Sequence, residues 1–228
     1  MNIFMLGFFL TIMLLFAFIG DMLQYAVRII ASVMNWPNLS THLVTLSMLI
    51  NRFGAALALL IIGFMIDIGM SIIAFLSIYI SFVLILGLSY WLKAKFPNFF
   101  LKVSVPFITK YYNITVDNSF GYNSRSYAPK VNPPIAIIFS IALLGFLLPS
   151  LFAAAFPNYR ATLLQTGFIL NSFATLYSAL KIEKNLALTM NNGNNDDKWL
   201  AYCEFMISRA VGCLLATLIF LIIFLLNI

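Results

Sequence analysis

The stretch HLVTLSMLINRFGAALALLIIGFMI occupies residues 42–66 and contains one charged side chain, Arg52. At about 25 residues, it is longer than the roughly 18 that a helix needs to cross a bilayer. Comparable apolar runs recur along the whole chain. They predict spanning helices at 3–34, 42–66, 70–92, 133–155, 160–188 and 199–227. The sequence therefore predicts an all-α fold, a polytopic transmembrane helix bundle of about six helices in a single integral membrane domain, 1–228.

The composition favours a membrane protein over a soluble one. Of the 228 residues, 63% are hydrophobic and 9% are charged, which leaves too little polar surface to cover a soluble globule. A net charge of +6 would suit nucleic acid, but the basic residues form no patch with interleaved aromatic residues. We therefore expect the phospholipid bilayer, and no nucleic acid, to be a partner of this chain.

The basic residues are distributed as the positive-inside rule requires, with the excess of Lys and Arg in cytoplasmic loops. Nearly all of them lie in the connections after the first, third and fifth predicted spans, whereas the opposite side holds only Arg160. The richest is the long basic connection, 93–132, whose role the sequence leaves open. This distribution predicts a multi-pass protein with both termini outside the cytoplasm.

Two arginines, Arg52 and Arg209, lie inside predicted spans. An arginine at the centre of a spanning helix costs about 2.5–3.5 kcal/mol on insertion scales. Each is preceded by an isoleucine and a small polar residue, and each is followed by small residues that would let another helix come close. Two explanations stand side by side. The arginine reaches the cytoplasmic headgroups or pairs with an acid such as Glu204 or Asp21, or it binds an anion.

A polar stripe runs along the first predicted span. Asp21, Gln24, Tyr25 and Arg28 are spaced i, i+3, i+4 and i+7, so they share one helical face, which should point away from lipid. Asn171 lies on a similar polar face of the fifth span. Interhelical hydrogen bonding, typically below about 2 kcal/mol per bond, and a role in transport both account for these residues.

Spans 1–2 and 5–6 show a weak internal similarity. Residues 23–29 align with 176–182, which matches Arg28 with Lys181, and an arginine motif follows in each half. Parallel repeats occur in transporters, with the binding site at the repeat interface. The sequence therefore suggests a parallel repeat of helices 1–2 and 5–6, and a chance match between hydrophobic segments is the alternative.

The residues that most enzymes need are missing. The single histidine, His42, lacks a nucleophile motif beside it, and the cysteines Cys203 and Cys213 do not have metal-ligand spacing. The seven acids are scattered rather than clustered for magnesium, and no nucleotide-binding glycine motif is present. We therefore predict a protein that is not an enzyme and that uses no cofactor or metal.

Several motifs resemble the Amj family of bacterial lipid II flippases, which are unrelated to MurJ. At the N-terminal end, IGDMLQYAVR at 19–28 is similar to that family's Asp-x-x-x-Tyr-x-x-Arg start, and 47–52 and 63–67 fit in order and spacing. At the C-terminal end, LALT at 186–189, ISR at 207–209 and GCLLA at 212–216 are similar to the family's closing helices. The basic connection matches nothing in the family.

The resemblance implies a lipid II flippase, which would move the undecaprenyl-diphosphate-linked peptidoglycan precursor across the bacterial cytoplasmic (inner) membrane during cell-wall biogenesis. A flippase has to shelter the charged headgroup from hydrocarbon, so it needs a polar, cationic cavity. Arginines in that cavity could bind the diphosphate through bidentate contacts. Residue chemistry then assigns candidate substrate-binding residues. They are Arg28, Arg52, Arg209, Asp21, Gln24, Tyr25, Asn51 and Asn171.

Two other functions remain open at this point. The first is a non-transporting membrane scaffold or assembly factor, whose arginines are structural and whose basic connection binds anionic lipids at about 1 kcal/mol per basic residue. The second is an integral membrane enzyme acting on polyprenyl phosphates, which the lack of an acid or nucleophile cluster disfavours.

Overall fold

The computed structural model describes residues 3–33, 37–97, 110 and 129–226. Every regular element in these ranges is helical. A 3₁₀ turn (Pro157–Tyr159) precedes the fifth helix, and a π-helical turn (Ser178–Glu183) joins the fifth helix to the sixth without a break. The helices are α1 (Ile3–Val33), α2 (Pro37–Asp67), α3 (Ile72–Lys95), α4 (Pro133–Ala155), α5 (Arg160–Tyr177), α6 (Lys184–Asn192) and α7 (Asn195–Leu225).

Among the described residues, five helices are long and apolar enough to span a bilayer: α1, α2, α3, α4 and α7. They confirm the all-α membrane bundle. The remaining predicted span, 160–188, coincides with the continuous rod of α5, the π-helical turn and α6. This rod is less apolar than the other five because Gln165, Asn171 and Lys181 recur along it. Most of the basic connection, 98–109 and 111–128, lies outside the described residues.

The last helix begins earlier than its apolar run. The side chain of Asn194 accepts a hydrogen bond from the backbone N–H of Asp197, whose carboxylate accepts from the N–H of Asn194, so the two residues form a capping box. The stretch NNGNNDD at 191–197 is rich in residues that predict a tight turn and helix N-caps. The capping role is confirmed, but Asp196 and Asp197 belong to the first turn of α7 and not to the loop. Their negative charge there complements the helix dipole.

Helix directions follow from a few side-chain contacts. Tyr90 of α3 contacts Arg209 and Tyr79 of α3 contacts Phe220, so α3 runs antiparallel to α7. Ser150, near the C-terminal end of α4, lies 2.5 Å from the hydroxyl of Tyr79, so α4 runs parallel to α7. α5 packs on α4, and α1 packs along α2. The central helix of the bundle is therefore α7, with α3 and α4 against it.

Small residues allow two of these helix pairs to approach closely. A Cβ on Gly54 of α2 would lie 2.6 Å from the backbone nitrogen of Ala17 on α1, and one on Gly212 of α7 would lie 2.6 Å from the carbonyl oxygen of Ala136 on α4. Real Cβ atoms do not approach that closely. The prediction that small residues after each arginine permit close helix contact is therefore confirmed at both places.

The two ends of the bundle are fixed by polar contacts. At one end, the Nζ of Lys198 donates to the carbonyl of Ser32 at 3.1 Å, and the Ser32 hydroxyl donates to the carbonyl of Met190. This end, called the basic end below, joins α1 to α2 and α6 to α7. At the opposite end, Arg160 and Asp67 form an ion pair at 2.5 Å. Because Ser32 lies in the last turn of α1, the charge of Lys198 at its carbonyl also complements the dipole of that helix.

The two halves of the suggested repeat pack differently. α1 and α2 contact each other along their length, whereas α5 packs on α4 rather than on α7. Arg209 is buried, but its counterpart Arg52 is exposed. The parallel repeat therefore stays a prediction from the sequence, and the two arginines lie in different environments.

Candidate functional site

A cavity of about 350 Å³ lies between α1, α2, α4, α5 and α7. Its size is that of a small-ligand site. One part of its wall is apolar and comes mainly from α4, including Ile138, Phe139 and Leu143. The polar part of the wall comes from the other four helices and the π-helical turn. These polar residues are Gln24, Tyr25, Asn51, Arg52, Asn171, Thr175, Ser178, Glu183 and Arg209.

Six of the eight residues that the sequence suggested for substrate binding line this one cavity. They are Gln24, Tyr25, Asn51, Arg52, Asn171 and Arg209. Arg28 does not line the wall, but it forms an ion pair at 3.5 Å with Glu183, and Glu183 does line it. Asp21 lies on α1, and its side chain is outside the described residues. The two arginines, which are more than 150 positions apart in the sequence, therefore share a cavity.

Arg209 is held in a cage of aromatic side chains. It is only 7% exposed, and its guanidinium donates to the hydroxyl of Tyr90 at 3.0 Å and to that of Tyr25 at 3.2 Å. The guanidinium carbon lies 4.5 Å from the ring centroid of Phe205 and 4.6 Å from those of Tyr25 and Phe139. Cation–π contacts of this kind stabilise a desolvated cation. Arg209 is thus a charge that the protein itself accommodates.

Arg52 is in the opposite situation. It lies about 15 residues, or roughly 22 Å of helical rise, from each end of α2, and its side chain is exposed. No hydrogen bond or ion pair engages Arg52 within the described part of the chain. Its neighbour Asn51 is fixed, because its amide donates to the carbonyl of Ala17 at 3.0 Å.

Glu183 is a cavity residue that the sequence did not indicate. Its carboxylate pairs with Arg28 and accepts a weak hydrogen bond from the Tyr25 hydroxyl at 3.4 Å. Tyr25 in turn accepts from Arg209, so a chain of polar contacts links α1, the π-helical turn and α7. Among these described side chains, two arginines, Arg52 and Arg209, line the cavity, and its one acid, Glu183, is already paired with a third, Arg28. The site therefore carries an excess of positive charge.

The cavity opens sideways between α2 and α5. Arg52, Met48 and Thr175 line it and are exposed, and they belong to these two helices. α2 and α5 do not pack against each other extensively in the described structure. The outer surfaces of both helices are apolar, with Phe53 and Phe173 each 61% exposed. In a bilayer these surfaces face lipid, so the mouth of the cavity faces lipid as well.

Within the described residues, no group of three or more His, Cys, Asp or Glu side chains could hold a metal ion. Cys203 and Cys213 are both buried and unpaired, as their separation of about 15 Å along one helix predicts.

Comparison of the chain with models of protein families, with curated proteins and with solved structures finds no match.

Proposed function

We propose that the protein binds the anionic headgroup of a membrane lipid in this cavity and carries it across the bilayer. The observation that supports the proposal most strongly is Arg52. This arginine lies well inside the apolar span His42–Asp67 of α2, at a lipid-facing opening, without a partner among the described residues.

The energetics of the membrane favour an anion at this position. A guanidinium near the bilayer centre is unfavourable by about 2.5–3.5 kcal/mol even on insertion scales, unless a partner or a hydrated cavity compensates. A phosphate or diphosphate accepts parallel hydrogen bonds from an arginine and neutralises its charge. Because the opening faces lipid, the acyl or prenyl tail of such a ligand stays in hydrocarbon while its headgroup enters the polar cavity.

The two cavity arginines then have different roles. Arg52 contacts the anion directly, whereas Arg209 is engaged by Tyr25 and Tyr90 and acts through its field and by holding the Tyr25 hydroxyl in place. The amides of Gln24, Asn51 and Asn171 line the same cavity and supply further hydrogen bonds to the headgroup bound there. The proposed reaction is movement of a lipid, in which no covalent bond is made or broken.

The resemblance to the Amj family supports one particular cargo. We propose that it is lipid II, the undecaprenyl-diphosphate-linked peptidoglycan precursor, and that the protein resides in the bacterial cytoplasmic membrane with both termini outside the cytoplasm. Lipid II combines a diphosphate, which the arginines would neutralise, with sugars and amides that suit the polar wall.

Binding to purified protein distinguishes the sources of the anion. We would measure the binding of a short-chain prenyl diphosphate, of phosphatidylglycerol and of inorganic diphosphate to wild type, Arg52→Gln and Arg160→Gln. Arg160 is the matched control because it lies at the far end of the bundle and outside the cavity wall. We expect prenyl diphosphate to bind best of the three ligands. Its binding free energy should weaken by about 1.5–3 kcal/mol, the value of a charged hydrogen bond, in Arg52→Gln and not in Arg160→Gln. Equal binding by wild type and Arg52→Gln would contradict it.

A membrane scaffold is the second candidate, and the state of Arg209 favours it. A buried arginine that tyrosine hydroxyls and aromatic rings satisfy needs no ligand to explain it. Under this alternative the purified protein binds anionic lipid at its basic end but moves no lipid between leaflets. A leaflet-resolved transport assay with proteoliposomes therefore separates the two candidates.

A further inference from the structure

A second cavity lies next to the first, nearer the basic end of the bundle. It occupies about 400 Å³ between the start of α4, the rod of α5 and α6, and α7. Asn132 immediately precedes α4, and Thr189 is near the end of α6, so both mark the basic end. Asn132, Lys181 and Asn185 are exposed, and they place the opening of this cavity at the surface. We call it the vestibule and the first cavity the arginine cavity.

Three apolar side chains separate the two cavities. Ile135, Ile182 and Phe205 line both of them. They come from α4, the π-helical turn and α7, so the partition is formed by three different elements. Ile182 and its neighbour Glu183 both reach the arginine cavity, which the wider π-helical turn permits. A ligand extending from one cavity into the other would have to displace these side chains.

The two cavities differ in charge. The wall of the arginine cavity has two arginines and one acid, Glu183. The wall of the vestibule has one charge of each sign, Lys181 and Glu204. Its other polar groups are neutral hydrogen-bonding side chains, including Asn185 and Thr189. An anion is therefore favoured in the arginine cavity, and an uncharged ligand rich in hydroxyl or amide groups is favoured in the vestibule.

We infer that the vestibule is a second binding site, which takes the uncharged polar part of the same headgroup whose anionic part lies in the arginine cavity. The inference rests on the proposed function and specifies its substrate. The cargo is an elongated lipid headgroup with a phosphate or diphosphate next to the tail and a sugar or amide-bearing group beyond it. A lipid with only a phosphate headgroup fills one cavity and leaves the vestibule empty.

Protection of engineered cysteines tests each cavity separately. Cys203 and Cys213 would first be replaced by alanine, and single cysteines introduced by Ser178→Cys in the arginine cavity, Thr189→Cys in the vestibule and Asn192→Cys outside both. The probes are a short-chain prenyl diphosphate and the same lipid carrying an N-acetylhexosamine. The rate of modification by a maleimide is measured with and without each probe, on protein that elutes as a single species. Thr175→Cys and Asn185→Cys replace the first two variants if either misfolds.

The expected pattern differs between the two probes. At a probe concentration about four times its Kd, occupancy slows modification about fivefold, because protection follows 1 + [L]/Kd. The sugar-bearing probe should protect Ser178→Cys and Thr189→Cys, the plain prenyl diphosphate should protect Ser178→Cys alone, and neither should protect Asn192→Cys.

Each other outcome overturns a defined part of the account. Protection of Thr189→Cys by the plain prenyl diphosphate would show that the vestibule binds the anion, which contradicts the inference. Protection of Ser178→Cys but never of Thr189→Cys would also contradict it, while leaving the proposed function intact. Absence of protection at Ser178→Cys by both probes would count against the proposed function itself, and the inference would fail with it.

Discussion

Replacing Gly54 with alanine tests the packing that positions the arginine cavity. A Cβ at Gly54 would lie 2.6 Å from the backbone nitrogen, 2.7 Å from the Cα and 3.0 Å from the Cβ of Ala17. Ordinary contacts of a Cβ start at 3.4 Å, so α1 and α2 would have to separate by close to 1 Å, as overpacked side chains require. Two helix backbones cannot yield as a flexible side chain can.

The free energy of unfolding should fall accordingly. Overpacking typically costs about 1–3 kcal/mol, and the hydrogen bond from Asn51 to the Ala17 carbonyl at 3.0 Å is worth about 0.5–1.5 kcal/mol. Alanine offsets part of this because it is about 1 kcal/mol better than glycine inside a helix. We expect a net loss of about 0.5–3.5 kcal/mol for Gly54→Ala.

The assay is unfolding of the purified protein in detergent, by heat or by titration with a denaturing detergent. Gly63→Ala is the matched control, since Gly63 lies on the same helix and a Cβ there would meet nothing within 4 Å. We expect this variant to be as stable as wild type or slightly more stable. Equal stability of the Gly54 and Gly63 variants would refute the close crossing of α1 and α2.

Three further expectations follow from single contacts. Tyr90→Phe removes an acceptor from the buried guanidinium of Arg209 and should lower the free energy of unfolding by about 1–3 kcal/mol. The control Tyr159→Phe, on the exposed surface, should change it little. Similar losses in the two variants would argue against the aromatic cage. Asp67→Asn removes the ion pair between Asp67, 66% exposed, and Arg160, 36% exposed. The free energy of unfolding should fall by less than about 1 kcal/mol, and the effect should shrink at high salt. A larger loss that does not depend on salt would mean that the ion pair is a main support of the fold. An alkaline phosphatase fused to the C-terminus should be active and a fused fluorescent protein dark, as both termini outside the cytoplasm require; the reverse result would invert the topology.

Much of the helical framework could be predicted from the sequence, because the solvent of this chain imposes a simple rule. In hydrocarbon every backbone polar group needs an internal partner, so long apolar runs become helices, and the bounds of α4 agree with the prediction to the residue. Helical periodicity also placed Gln24 and Tyr25 on one face, and both line the arginine cavity. The spacing along α1 was sufficient to predict their shared face, because both residues belong to that one helix.

What the sequence could not indicate depends on contacts between distant segments. Three cage residues around Arg209 come from other helices: Tyr25 from α1, Tyr90 from α3 and Phe139 from α4. Glu183 was missed for a local reason. Asn171 and Ser178 define a face with regular helical spacing, and the π-helical turn after them changes the register, so that Glu183 reaches the cavity.

Transport by Arg52 variants tests the central claim most directly. Wild-type protein, Arg52→Gln, Arg52→Lys and Arg160→Gln would be reconstituted at equal levels into proteoliposomes that contain lipid II, and its exposure in the outer leaflet followed over time. We expect wild type and Arg160→Gln to move lipid II at similar rates. Transport by Arg52→Gln should be slower by at least about tenfold, equivalent to roughly 1.4 kcal/mol. The rate of Arg52→Lys should be intermediate, because lysine keeps the charge but cannot make the bidentate contact. Transport by well-inserted Arg52→Gln at the wild-type rate would contradict the account.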